Sequence, residues 1–200
     1  PDDQGIWESE CKKICFGHNR LAIIDLSQKG KQPFISNDEK LVITFNGEIY
    51  NFKEIRKELI KKNINFKSNS DTEVILESYK FWGLDFIKKL RGMFAFALWD
   101  SVKKKLILVR DPFGIKPLYY SKKNGIYYFA SQVKSILSTN SINSNYSDAG
   151  VVSYYLWGNI QEPYTLYKDI KSLKRGTCLS INADGVEEEY NYADIKNTIL

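Results

Sequence analysis

The apolar positions of the chain fall into short runs separated by polar turns, and two helical stretches interrupt them. Residues 14–24 read as strand material with a break at Gly17-His18-Asn19, and 28–37 as a loop by their Gly, Pro, Ser and Asn content. Leu41-Val42-Ile43-Thr44-Phe45 is apolar and β-branched, a short strand expected to stop at Asn46-Gly47. A helix start follows: Asn51 is placed to cap, Glu54 stands three residues on, and Phe52, Ile55 and Leu59 mark one face. Ser70 and Glu73 repeat the capping-box pattern, Val74, Ile75, Leu76 and Tyr79 follow, and Gly83 ends the second helix. A short third helix is expected over 85–90.

The pattern then changes. Residues 93–99, 106–109, 118–120 and 126–130 are strand candidates in quick succession, joined by connectors too short for crossover helices, so neighbours must pair antiparallel. Residues 93–99 are apolar throughout, as in a strand covered on both faces. This predicts an α+β fold of two packed sheets flanked by helices. Residues 139–147 are polar and aperiodic and read as a linker. A helix candidate at 150–156 and a hairpin turned at Asp184-Gly185 come after it. The expected organisation is one domain over 1–146, then a linker and the start of a second domain over 147–200.

Composition narrows the function classes. With 43% apolar and 26% charged residues in 200, this is an ordinary globular chain. The net charge of +5 comes mainly from scattered lysines. The cluster at 103–105 lies between two strand candidates and reads as a turn, and without an arginine-rich stripe nucleic acid is not an expected partner. No apolar run is long enough to cross a bilayer. The acidic start Pro1-Asp2-Asp3 has no signal-peptide pattern, and three cysteines without framework spacing suit a reducing, cytoplasmic setting. The chain opens without a methionine and stops within a helical pattern at Ile199-Leu200, so it is expected to be cut at both ends.

Only one histidine is present, His18. Its nearest thiol, Cys15, is an odd number of residues away and so faces the other side of a strand, leaving His18 a structural reading. Cys11, Cys15, His18 and Cys178 lack the paired spacing of a structural zinc site, and no metal is expected. Phe113-Gly114-Ile115-Lys116 lacks the glycines and the Ser/Thr of a phosphate loop. Asn46-Gly47-Glu48 is more informative: an amide side chain and an unhindered N–H together suit a developing oxyanion. The other reading is a turn, and the residues leave both open. Asp71 is one acid more than the second helix cap requires, so an ammonium ligand is a candidate partner. Arg20 offers a fork for a carboxylate, against the alternative of a structural ion pair.

Further along, blocks of sequence resemble the glutaminase domain of glutamine-hydrolysing asparagine synthetases, in that family's order. They are Gly17-His18-Asn19-Arg20-Leu21-Ala22-Ile23-Ile24-Asp25-Leu26-Ser27, Phe45-Asn46-Gly47-Glu48-Ile49-Tyr50-Asn51, Ser70-Asp71-Thr72-Glu73, Leu90-Arg91-Gly92-Met93-Phe94-Ala95-Phe96-Ala97 and Arg110-Asp111-Pro112-Phe113-Gly114-Ile115-Lys116-Pro117-Leu118-Tyr119-Tyr120, with Pro1-Asp2-Asp3 ahead of them. The resemblance implies a four-layer αββα sandwich of the N-terminal-nucleophile hydrolase type, lacking its first strand or strands. It implies an N-terminal cysteine that attacks the glutamine side-chain amide, with its own α-amino group as base.

Carried over by position, Asn46 (side chain) and Gly47 (backbone N–H) are the oxyanion hole. Arg20 clamps the α-carboxylate, Asp71 and Glu48 surround the α-ammonium, and Leu21, Ile23 and Ile24 line the pocket. The family's Cys-Gly-Ile start is not in these residues, so the chain as given is expected to bind L-glutamine without hydrolysing it. No cofactor is expected here; ATP and Mg belong to the synthetase domain, the expected partner in the same polypeptide, with a homodimer as a candidate assembly. The alternatives are a non-catalytic glutamine-binding module, and an amidotransferase acting on another acceptor such as a surface-polysaccharide sugar.

Overall fold

A computed structural model describes residues 2–21, 23–25 and 27–193; Pro1, Ala22, Leu26 and residues 194–200, with the helical pattern expected at Ile199-Leu200, lie outside the described residues. In chain order the elements are β1 (Asp3–Glu8), β2 (Cys15–Arg20), β3 (Phe34–Ile35), β4 (Leu41–Ile49), α1 (Phe52–Ile60), α2 (Asp71–Trp82), β5 (Gly92–Asp100), β6 (Lys105–Arg110), β7 (Tyr119–Lys123), β8 (Ile126–Ala130), α3 (Val133–Leu137), α4 (Asp148–Trp157), β9 (Lys171–Ser172), β10 (Thr177–Asn182) and β11 (Glu187–Asn191).

The strands form a six-stranded sheet in the order β11-β10-β6-β5-β4-β3, a three-stranded sheet β8-β7-β9 and the ribbon β1-β2. All pairings are antiparallel. Side-chain alternation along β5 shows how the layers stack. Phe94, Phe96 and Leu98 enter a core shared with Ile55, Leu59, Val74, Ile75 and Leu76 of α1 and α2. Ala95 and Ala97 point the other way, into a core with Phe16 of β2, Leu118 and Leu173. A third cluster places Ile136 of α3 with Ile142, Ile170, Tyr119 and Tyr128 on the far side of the small sheet. The result is helix, sheet, sheet, helix: an α+β sandwich in four layers. Each fully buried Phe or Leu contributes about 1.5–3 kcal/mol, so the two faces of β5 anchor both halves.

Asp111, fully buried, sets the crossing between sheets. Its carboxylate accepts N–H groups from Phe94, Phe113, Ile115 and Lys116. Beside it the Arg110 guanidinium donates to the carbonyls of Lys116, Gly114 and Leu173 and to the Glu162 carboxylate. Together they turn the chain out of β6 and into β7, so these consecutive strands sit in different sheets instead of pairing.

Several boundaries differ from the sequence expectation. β2 runs unbroken through Gly17-His18-Asn19 and ends at Arg20, because β1 pairs with every residue of it. β4 does not stop at Asn46-Gly47 but continues to Ile49, since β5 offers partners as far as Gly92. Asn51 makes no side-chain cap to α1; its amide bridges Lys89 O and Arg91 N instead. Ser70 does cap α2 through Thr72 N, but Glu73 turns to the backbone of Lys67 and Ser68. The expected helix over 85–90 is a 3-10 stretch, Gly83–Lys89. Beyond the boundary expected at 146, β9 joins β7 and β10 joins β6, so residues 171–191 extend both sheets.

Candidate functional site

A cavity of about 1060 Å³ lies between β4 and β5 on one side and β2 on the other. Arg20, Leu21, Ile23, Ile24, Asn46, Gly47, Glu48 and Asp71, separated along the chain, all line it. Alternation explains why. In β4, Ile43, Phe45 and Ile49 face the helices, so Thr44, Asn46 and Glu48 face the opposite layer. In β2, Phe16 enters the inter-sheet core, so His18 and Arg20 on the same face look back at β4. His18 Nδ1 meets Thr44 Oγ1 at 3.0 Å.

On the free edge of β4 an open backbone N–H stands between two that are taken. Opposite Gly47 stands Phe94. Phe94 directs its N–H to Asp111 Oδ2 and its carbonyl to Asp111 N, away from β4. Gly47 and Phe94 therefore form a non-hydrogen-bonded pair, and the Gly47 N–H points to the side away from β5. On that side Phe45 is bonded at both backbone groups by the Gln32 side chain, at 2.7 and 3.0 Å. Ile49 N–H is taken by Asp71 Oδ2 at 3.0 Å. Between them Gly47 N–H has no acceptor among the described residues, and neither does the Asn46 amide.

Only glycine fits at 47. A Cβ there would stand 2.2 Å from Met93 O and 2.7 Å from Phe94 Cα, at a φ of +152°. Gln32, which no sequence pattern marks, is the group that ties up Phe45. A loop glutamine has no periodicity to betray it, and the adjoining Pro33 was its only sequence signal.

Arg20, Glu48 and Asp71 are not paired with one another across the cavity. Arg20 is 7% exposed and its guanidinium donates to the carbonyls of Ser27 and Asp25. The Asp25 carboxylate is occupied by Ser27 and by Asn69 N–H, whose bonds outweigh burial and hold it below the usual range, helped by the Arg20 charge. Among the described residues no ion pair involves Arg20, Glu48 or Asp71. Burial pushes the Asp71 carboxyl up, and the Glu48 charge adds to it, while the bond from Ile49 N opposes. Burial lowers His18, and Arg20 lowers it further. A buried guanidinium bonded only to carbonyls and a buried Asp71 carboxylate without a cation are each costly. One ligand carrying both charges would relieve both.

Lys116, Pro117 and Leu118 also reach the cavity, brought there by the Asp111 turn. None of the three cysteines lines it: Cys11 and Cys15 are exposed, and Cys178 is buried in the helix-side core, its thiol pushed up by burial to about 11. Among the described residues no cluster of His, Cys, Asp and Glu is arranged to hold a metal, and no helix is long and apolar enough to cross a membrane.

Comparison with known proteins gives this geometry a context. A family model described as glutamine amidotransferase domain matches residues 1–193. Asparagine synthetase [glutamine-hydrolyzing] 1 of Bacillus subtilis is 41% identical over 186 residues, 92% of this chain and 29% of its own length. Putative asparagine synthetase [glutamine-hydrolyzing] 2 of Methanocaldococcus jannaschii is 36% identical over 98% of this chain and 41% of its own length. The chain thus spans well under half of these relatives. Among solved structures, the glutamine phosphoribosylpyrophosphate amidotransferase of B. subtilis shares the fold with a TM-score of 0.60 at 23% identity, over 90% of this chain and 35% of that one.

Proposed function

Because this chain belongs to the glutamine amidotransferase domain family, whose αββα sandwich is that of the N-terminal-nucleophile hydrolases, we propose that its cavity binds L-glutamine and holds the side-chain amide for hydrolysis to glutamate and ammonia. The observation that carries this reading is the set of unmatched groups in one cavity. Arg20 receives the α-carboxylate, Asp71 and Glu48 receive the α-ammonium, and Leu21, Ile23 and Ile24 wall the site. The Asn46 amide and the Gly47 N–H are left facing the side-chain carbonyl.

In this reading a cysteine at the mature N-terminus, ahead of Pro1, is the nucleophile. Its thiolate adds to the amide carbon, the proton passes through its own α-amino group to the leaving nitrogen, and ammonia departs as a thioester forms. Water then releases glutamate. Negative charge gathers on the carbonyl oxygen in the tetrahedral state, where two preorganised donors lower the barrier most. We place the domain in a longer cytoplasmic protein whose following domain, with ATP and Mg, uses the ammonia to amidate aspartate. The asparagine synthetase relatives support that acceptor.

Binding needs no nucleophile, so calorimetric titration of this chain with L-glutamine is the test. Saturable binding is expected, with Arg20→Ala weakening it by about 1.5–3 kcal/mol, the worth of a hydrogen bond to a charged group. Failure of L-glutamine to bind, or equal affinity in Arg20→Ala, would overturn the assignment.

A further inference from the structure

α4 is apolar nearly all round after its first turn, yet Gly150 is its sole buried residue. Its last four residues are Tyr154, Tyr155, Leu156 and Trp157, which are 55%, 84%, 68% and 69% exposed. Successive helical residues step about 100° round the axis, so these four cover almost the whole circumference. A helix apolar on every side is normally enclosed on every side. Here the body of the domain holds α4 at its first turn: Ser147 caps it through Gly150 N, and the Gly150 backbone lies so close to Thr165 O that a Cβ would stand 2.0 Å away. Tyr146 and Tyr164, 68% and 51% exposed, widen the apolar surface around this root.

The last described residues are tied to the segment that returns from α4 through one intermediate strand start. Tyr192 N bonds Gly176 O, and the Tyr192 hydroxyl donates to Arg110 O. Next to Gly176, Arg175 is paired with Glu162, in the segment that returns from α4. Ala193, against Gly176, is therefore one ion pair away from the segment that returns from α4. The relatives have the material to cover it: the matched stretch is 29% of the B. subtilis protein.

We propose that the end of α4, with Tyr155 and Trp157 at its centre, inserts into an apolar groove of the domain that follows this one in the same polypeptide. This rests on the reading that the chain is one domain of a longer synthetase. A groove suits the geometry better than a second copy, because a flat twofold contact would cover one side of a helix end exposed on all sides.

The experiment is amide hydrogen exchange read by mass spectrometry, on the full-length protein and on residues 1–200 side by side. Peptides spanning 150–158 are expected to exchange about tenfold more slowly in the full-length protein, and Tyr155→Asp in that protein is expected to restore the fast exchange. Equal rates in the two proteins would overturn the docking. So would protection within residues 1–200 that rises with concentration, since a second copy would then be the cover. An intact mass showing no following domain would overturn it together with the synthetase reading, whereas equal exchange with retained glutamine binding would remove the docking alone.

Discussion

Replacing Gln32 by methionine isolates the contribution of one side chain to the edge of the candidate site. The Gln32 amide accepts from Phe45 N at 2.7 Å and donates to Phe45 O at 3.0 Å, acting as a strand partner one residue wide. Gln32 and Phe45 are both buried. Methionine fills a similar volume and leaves both backbone groups unpaired. An orphaned buried group costs about 1–3 kcal/mol, so the pair is worth roughly 2–6 kcal/mol. The adjacent cavity lets water reach part of this row, which places the expected loss at about 2–4 kcal/mol. Equilibrium unfolding in guanidinium measures it, provided the slope with denaturant stays that of the parent.

Gln32→Glu gives a second reading with a sign. The introduced carboxylate still accepts from Phe45 N but faces Phe45 O without a proton to donate. Burial beside that carbonyl raises its folded pKa above the ordinary value of about 4.3. A group raised on folding adds stability below its unfolded pKa and loses it as the pH rises through the folded one. The variant should therefore fall behind the parent at neutral pH and recover as the medium is made acid. A methionine variant within about 0.5 kcal/mol of the parent would refute the reasoning.

Asn46→Ala, in a full-length protein carrying the N-terminal cysteine, should lower kcat for glutamine hydrolysis by about 10²–10³ with little change in KM, because the contact matures in the transition state; steady-state kinetics decides. Gly47→Ala should cost at least about 3 kcal/mol in denaturant unfolding, since its Cβ meets the backbone of Met93 and Phe94, which flexible side-chain motion cannot relieve. Asp71→Asn keeps an oxygen for Ile49 N while removing a charge that burial disfavours, so thermal stability without ligand should hold or rise. Glutamine affinity should meanwhile fall by about 2 kcal/mol in calorimetry. His18 is lowered on folding by burial and by Arg20, so it favours the fold at pH above its unfolded value and this support is lost as pH falls below it; His18→Gln should flatten that part of the stability curve.

The layering was readable from pattern because a strand buried on both faces must be apolar throughout, and residues 93–99 are. Ser70 was readable as a cap because capping is a local geometry. Asn51 was misread for the complementary reason: its amide found better-placed partners at Lys89 and Arg91, far away in sequence, and no local rule sees them. The same holds for the ends of β2 and β4, which depend on how far a neighbouring strand supplies hydrogen bonds.

For the candidate site, the sequence by itself determined which residue types were available: an arginine, an acid in excess of a cap, and an amide next to a glycine. The family resemblance grouped them around one ligand. Tertiary structure alone decided that they line one cavity, because the placing of Arg20 and Glu48 on its walls follows from the parity of two strands in different layers. It alone decided that Gly47 N–H is open, since this depends on Asp111 claiming Phe94 from one side and on Gln32 and Asp71 claiming Phe45 and Ile49 from the other. Local propensity acts within a few residues, whereas an unpaired donor or an uncompensated charge is defined by everything packed around it, and that is settled only when the sheets close on each other.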